Sequence, residues 1–205
     1  MSTERRTANL VLGAAVLTLG LLAGFFYAYT ISVMPALADT DDRTYVDAMQ
    51  QMIKVINESP LFFLTLLGAP ALMIWALIIE WRAGSRLAVR WIAAALVLYS
   101  ICFLLTVAVH VPLNDDLERA GNPAGIADLA RVVDDFEGPW VAWDLVRTVA
   151  LVGSFAALVG AVLVQPAGAR QRTHLLDRSP ESASVDVPSE GRPAAALHDA
   201  VTEES

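Results

Sequence analysis

Four long runs of apolar residues, separated by polar segments, dominate the pattern of this chain. The runs cover residues 9–33, 60–79, 87–111 and 141–164. The hydrocarbon core of a bilayer is about 30 Å thick, so a helix needs about 20 apolar residues to cross it. Lipid offers no hydrogen bonds to the backbone, so each run is expected to be helical. The pattern predicts an all-α fold, a four-helix transmembrane bundle.

Prolines stand near the ends of these runs and predict where the helices stop. Pro35 follows the first run, Pro112 closes the third and Pro139 precedes the fourth, whereas Pro60 opens the second. Proline is tolerated in the first turn of a helix and interrupts it elsewhere.

The two longer polar segments carry apolar residues at helical spacing. In the first they are Tyr45, Met49, Met52 and Ile56, behind the N-cap candidates Thr40, Asp41 and Asp42. In the second they are Ile126, Leu129, Val133 and Phe136. One apolar face per segment predicts two short amphipathic helices lying on the outer surface of the bundle.

Lysine and arginine predict the orientation of the bundle in the membrane. Most arginines near the span ends fall on the side of both termini: Arg5, Arg6, Arg82, Arg86, Arg90, Arg170, Arg172 and Arg178. The other side carries Arg43, Lys54, Arg119 and Arg131. We therefore expect a multi-pass protein of the cell's inner or plasma membrane, with both termini cytoplasmic and both acidic loops outside.

The pattern also divides the chain into two parts. We expect residues 1–165 to form the membrane domain. Residues 166–205 are rich in Pro, Ser, Ala, Glu and Arg, and we expect them to form a disordered tail that carries His174 and His198. Arg5 and Arg6 before an apolar run, with Ala36-Leu37-Ala38 after it, also resemble a cleaved secretory signal. The run exceeds the usual 7–15 residues of such signals, so we expect the first span to be retained.

Composition excludes several functions. The chain is 56% hydrophobic with a net charge of −8, and it has no basic patch for nucleic acid. Its single cysteine, Cys102, excludes an internal disulfide. Membrane lipid is the expected partner. Gly13, Gly20 and Gly24 on the first run would allow close helix contact within or between chains, which leaves a homo-oligomer open.

The polar residues of the spans gather near the outer end. His110 lies on a stripe with Tyr99, Thr106 and Asn114 on the third run. On the fourth run, Trp140, Trp143 and Arg147 fall at i, i+3 and i+7 beside Asp144, and the first run adds Phe25 and Tyr29. An ionisable residue inside a span marks function or a partner by default.

A purely structural interpretation of each candidate stays open. The tyrosines suit an interfacial belt, and His110 suits a hydrogen bond to a neighbouring helix. Arg147 could pair with Asp144 while its guanidinium snorkels outward. The spans hold too few histidines and carboxylates for a di-haem or di-iron site, so we expect no metal and no organic cofactor.

Four short motifs in order carry a family resemblance. They are Gly24-Phe25-Phe26-Tyr27-Ala28-Tyr29 running into Ser32-Val33-Met34-Pro35-Ala36-Leu37; Ala48-Met49-Gln50 with Asn57 and Pro60; Val111-Pro112-Leu113-Asn114; and Trp140-x-x-Trp143 leading to Val146-Arg147-Thr148. Over residues 10–163 the chain resembles the anthrone oxygenase-like family. His110 and Asp144 depart from the family pattern, which commonly has asparagine at both positions.

The resemblance implies oxidation of anthrones to anthraquinones by molecular oxygen without a recognised cofactor, an activity linked to fungal members. For such chemistry, His110 could act as the base, while Arg147 and Asn114 hold the oxyanion. The rings of Phe25, Tyr29, Trp140 and Trp143 could stack on a lipophilic aromatic substrate. The alternative is a non-enzymatic protein that binds lipid or a small molecule, or an accessory subunit of a membrane complex.

Overall fold

The computed structural model describes residues 3–165, all of whose regular elements are helical. The seven α-helices are α1 (Thr3–Ala28), α2 (Met34–Ala38), α3 (Asp42–Asn57), α4 (Pro60–Arg82), α5 (Arg86–Leu105), α6 (Val111–Arg119) and α7 (Leu129–Leu163). A short 3-10 turn, Pro123–Gly125, precedes α7. The prediction of an all-α fold is confirmed. The predicted disordered tail, with His174 and His198, lies outside the described residues.

Four continuous helical segments are long and apolar enough to cross a membrane: Glu4–Ala38, Pro60–Arg82, Arg86–Arg119 and Leu129–Leu163. We refer to them as the first to fourth spans. The first packs on the second and fourth, and the third packs on the same two. The predicted four-helix bundle is therefore confirmed. Its long core holds small and aliphatic side chains, among them Ala15, Leu19, Ala69, Met73, Ile92 and Leu158.

Pro35 and Pro112 do not end their helices as predicted. Each follows a π-helical turn, Tyr29–Val33 in the first span and Thr106–His110 in the third. A proline ring crowds the carbonyl of the residue four positions earlier. That residue lies inside the π turn in both cases, at positions 31 and 108, so the widened turn lets the helix continue past the proline. π-Bulges of this kind are frequent at functional sites.

The prediction of a second short amphipathic helix is wrong, because its residues belong mainly to the long helix of the fourth span. Val133 and Phe136 belong to α7, which runs unbroken from Leu129 through Pro139, and Ile126 precedes it. Val133, Phe136 and Trp140 share one buried face, so packing on that face outweighs the hydrogen bond that Pro139 cannot donate. Asp128 caps the helix by accepting a hydrogen bond from the backbone of Arg131 at 3.1 Å.

Helix α3 confirms the first amphipathic prediction. Asp41 is its N-cap and accepts hydrogen bonds from the backbone and side chain of Thr44, which hold the pKa of that carboxyl below its usual value. Its apolar face packs on α6 and α7 in a second core cluster: Met34, Tyr45, Val46, Met49, Ile53, Leu117, Val133, Phe136 and Trp140. We call this end of the bundle the loop end.

Replacing Gly20 by alanine should destabilise the bundle, and replacing Gly13 on the same helix should not. A Cβ atom at Gly20 would lie 3.0 Å from the ring of Phe155, whereas one at Gly13 meets nothing within 4 Å. Overpacking of this kind costs about 1 kcal/mol or more. Thermal unfolding of the two variants in the same detergent measures the difference. Equal melting temperatures would show that the first and fourth spans do not approach as described.

Candidate functional site

A cavity of about 440 Å³ lies at the loop end, enclosed by all four spans and α3. Its wall is mainly apolar and includes Phe26, Met49, Met52, Phe62, Leu66 and Phe103. The apolar face of α3 contributes to both the core and the cavity, because Met49 and Ile53 belong to the loop-end core and also line this cavity. Small-molecule sites in proteins are typically apolar hollows of about this size with a few polar groups.

Aromatic rings form one continuous wall of the cavity. The ring of Phe25 lies 5.0 Å from that of Tyr29 and 5.6 Å from that of Phe62, measured between centroids. Tyr29 in turn lies 6.1 Å from Trp140. The hydroxyl of Tyr29 donates to the sulfur of Met52 at 3.6 Å, which ties the first span to α3. Such a wall suits a flat, lipophilic molecule.

Arg147 is buried in the bundle, and its guanidinium does not snorkel outward. Only 5% of the residue is exposed, and Nε and Nη2 each lie 2.8 Å from Oδ1 of Asp144. The guanidinium carbon lies 4.2 Å from the ring centroid of Phe26 and 5.1 Å from that of Trp140. Rings stabilise a cation over their faces. Asp144 accepts from Nε and from one N–H of Nη2, so Nη1 and the second N–H of Nη2 remain for a ligand.

Two threonines complete the surroundings of this ion pair. The hydroxyl of Thr30 donates to Oδ2 of Asp144 at 2.8 Å and lies 3.1 Å from the hydroxyl of Thr148. Both carboxylate oxygens of Asp144 are thus bonded, as a carboxylate that is 1% exposed requires. Thr30 was not predicted from the sequence, and Phe26 and Thr148 stood in the family motifs without being predicted as site residues. Thr148 could have been predicted to contact Asp144, because residues four positions apart lie on the same face of a helix.

His110 closes the second π turn and is 1% exposed. Its Nδ1 lies 3.2 Å from the carbonyl oxygen of Leu105. A carbonyl only accepts, so Nδ1 carries the proton and Nε2 of the neutral ring is an acceptor. Nε2 is buried and has no hydrogen-bond partner among the described residues. The imidazole packs edge-on against Trp140, with centroids 5.3 Å apart.

Asn114 and Trp140 are joined by a hydrogen bond across the third and fourth spans. The indole N–H of Trp140 donates to Oδ1 of Asn114 at 3.1 Å. What Asn114 can offer a ligand is therefore its NH₂ group. The same bond fixes the plane of the indole, which touches both His110 and Arg147.

Six of the seven predicted site residues line the one cavity: His110, Arg147, Asn114, Phe25, Tyr29 and Trp140. Trp143 does not. It is 43% exposed, because three residues along a helix fall about 60° short of a full turn and carry its ring onto the flank of the bundle. Asn57, at the end of α3, lines the cavity as well. Among residues 3–165, no group of three or more His, Cys, Asp or Glu side chains could hold a metal ion.

Residues 49–157 match the protein family described as Anthrone oxygenase. The chain belongs to the anthrone oxygenase family. The matched region contains His110, Asn114, Trp140 and Arg147, whereas Phe25 and Tyr29 of the first span precede it. No curated protein and no solved structure matches this chain.

Replacing Asp144 by alanine should strongly destabilise this family member, since it leaves the buried guanidinium of Arg147 without its counter-ion. Breaking a buried pair in this way typically costs about 3–5 kcal/mol. The matched control is Asp134→Ala, an exposed carboxylate on the same helix. The apolar double replacement D144L/R147M should recover much of the lost stability, because no charge is then left unpaired. Thermal unfolding measures all three. Similar losses for Asp144→Ala and Asp134→Ala would contradict the pairing.

Proposed function

We propose that this protein is a cofactor-independent oxygenase of lipophilic phenols or anthrones, working inside the membrane. The observation that carries the proposal is one aromatic-walled cavity that holds an unpartnered imidazole nitrogen, a buried guanidinium and a carboxamide. These are a base, a cation and a hydrogen-bond donor. Membership of the anthrone oxygenase family supports this reaction class.

The flank of the cavity supports a substrate that arrives from lipid. Phe63 and Leu67 of the second span and Val107 of the third line the cavity, and they are 43%, 56% and 52% exposed. In a membrane these side chains would face acyl chains. A flat lipophilic molecule partitions into the bilayer, so it could enter between these two spans without crossing water.

The first step removes a proton from the acidic ring CH₂ group of an anthrone. Nε2 of His110 accepts it, because Nδ1 keeps its own proton on the carbonyl of Leu105. The electron pair left on the substrate spreads onto its carbonyl oxygen. Nη1 of Arg147 and the NH₂ group of Asn114 would stabilise that oxyanion, since charge developing in a dry cavity gains most from fixed donors.

Molecular oxygen is the oxidant. The carbanion passes one electron to O₂, and the radical and superoxide combine to form a C–O bond. The imidazolium of His110 gives its proton to the peroxide anion, which regenerates the neutral base. Nε2 then takes the second ring C–H proton as the O–O bond breaks, and it passes that proton to the departing hydroxide. One anthrone and one O₂ become one quinone and one water, and all electrons come from the substrate.

We further propose the orientation that the arginine pattern predicts. Both termini would be cytoplasmic, and the loop end with its cavity would face the outside of the cell's inner or plasma membrane. Among residues 3–165, nothing lies within 4 Å of where a Cβ atom would stand at Gly13 or Gly24, so a second copy of the chain would have room to pack there.

A second candidate is a protein that binds a lipid or small molecule at this cavity without reacting. The exposed apolar flank favours it, since that opening would admit an acyl chain as readily as an aromatic ring. Native mass spectrometry after mild extraction distinguishes the two candidates. A tightly retained lipid, together with no turnover, would favour simple binding.

Replacing His110 by glutamine should lower the enzyme-dependent rate of anthrone oxidation by about 100-fold or more, because a positioned base contributes about that much. The assay follows quinone absorbance and O₂ consumption with purified protein under air, corrected for the spontaneous rate. The wild type should consume one O₂ per quinone and release no hydrogen peroxide.

Trp143→Phe is the control, since Trp143 lies outside the cavity and its replacement should leave the rate unchanged. Three results would contradict the proposal. They are a wild-type rate no faster than the spontaneous one across several anthrones, a His110→Gln protein of full activity, and an equal loss in both variants.

A further inference from the structure

A second cavity, of about 530 Å³, lies at the end of the bundle opposite the loop end. It is formed by the start of the first span and the end of the second. Its polar lining includes Glu4, Arg5, Glu80 and Arg82, and its apolar lining includes Trp75 and Ile79. This cavity shares no residue with the candidate oxygenase site.

Glu80 is the unusual residue of this cavity. It is 2% exposed. One carboxylate oxygen, Oε1, accepts a hydrogen bond from Nε2 of Gln165 at 3.0 Å. The other, Oε2, is buried with no hydrogen-bond partner among the described residues, and no ion pair joins Glu80 to Arg5 or Arg82 within residues 3–165. A buried carboxylate oxygen without a donor is costly, so a ligand that donates to it would be stabilised.

The surroundings of Glu80 define which ligand fits. Arg5 is half-buried and Arg82 is exposed, so the mouth of the cavity is cationic while Glu80 lies inside it. An anionic headgroup alone would meet Glu80 and Glu4, and a simple cation would meet two guanidinium groups. A zwitterion with a phosphate and an N–H-bearing ammonium fits better, because its phosphate can meet the arginines and its ammonium can meet the carboxylate of Glu80.

The position of the cavity points to a lipid as the source of that zwitterion. Trp75 and Trp81 are 52% and 74% exposed on the flank of the second span, and exposed tryptophans concentrate at membrane–water interfaces. Trp75 and the neighbouring Ile79 lead from the polar cavity to the apolar flank. A headgroup in the cavity would therefore leave its acyl chains against the second span.

We propose that this cavity binds a phospholipid with a primary-amine headgroup, of the phosphatidylethanolamine class. The ammonium donates to Oε2 of Glu80, and the phosphate is held by Arg5 and Arg82. Phosphatidylcholine has the same charge and the same phosphate but no N–H, so it cannot make the first bond.

Native mass spectrometry of the delipidated, detergent-solubilised protein tests this. The added lipids are phosphatidylethanolamine, its mono- and dimethyl derivatives, phosphatidylcholine and phosphatidylglycerol. The wild type should bind phosphatidylethanolamine at least tenfold more tightly than phosphatidylcholine. Affinity should fall sharply at the last methylation, when the final N–H is lost. This comparison of lipids uses only the wild-type protein, so its result does not depend on whether a variant folds.

Glu80→Gln, of the same size and shape, should bring the two affinities within about twofold of each other. Glu118→Gln, an exposed carboxylate at the loop end, should keep the tenfold ratio. Equal binding of both lipids by the wild type would overturn the proposal, as would phosphatidylglycerol binding more tightly than either. A preference for phosphatidylethanolamine that appears only after deletion of residues 167–205 would also overturn the proposal. Glu80 would then bind the C-terminal residues of the full chain and not a lipid.

Discussion

A buried ion pair inside an apolar bundle imposes the main constraint on this structure. Asp144 and Arg147 are 1% and 5% exposed on a helix that is apolar enough to cross a membrane. Charges in that position are expensive unless their hydrogen bonds are satisfied. Thr30 supplies a donor from the first span, and the rings of Phe26 and Trp140 cover the guanidinium. The pair thus fixes the first and fourth spans against each other and leaves further N–H groups of the guanidinium for the cavity.

The two π turns place the remaining polar groups around this pair. Each stands before a proline in a span that would otherwise be regular helix. The first π turn contains Tyr29 and Thr30, and the second contains Thr106 and His110. Each π turn shifts the helical register of the residues after it, so a regular helix would carry Asn114, four residues beyond His110, in a different direction. The prolines, which the sequence presents as helix ends, therefore mark the two π turns that border the candidate site.

Most of the fold could be predicted from the apolar pattern, because membrane insertion leaves a chain few other ways to satisfy its backbone. Helix ends were less predictable. Pro112 and Pro139 carry a strong local signal for interruption. The π turn before Pro112 and the packing of Trp140 and its neighbours around Pro139 nevertheless keep the two helices continuous. Six residues that line the cavity could be named because polar and aromatic groups are rare in spans. Thr30 could not, because its role depends on a contact with a residue 114 positions away.

The most direct measurement of the central claim is the location of the Arg147 guanidinium in lipid. Solid-state NMR on protein with ¹³C-labelled arginine, in phospholipid bilayers, can compare distances from Cζ to the carboxyl carbon of Asp144 and to lipid phosphorus. The signal is assigned by its loss in Arg147→Gln. We expect contact of Cζ with the carboxylate and no dipolar coupling to phosphorus. Contact with lipid phosphate and none with Asp144 would mean that the side chain snorkels to the surface, and the cavity would lose its cation.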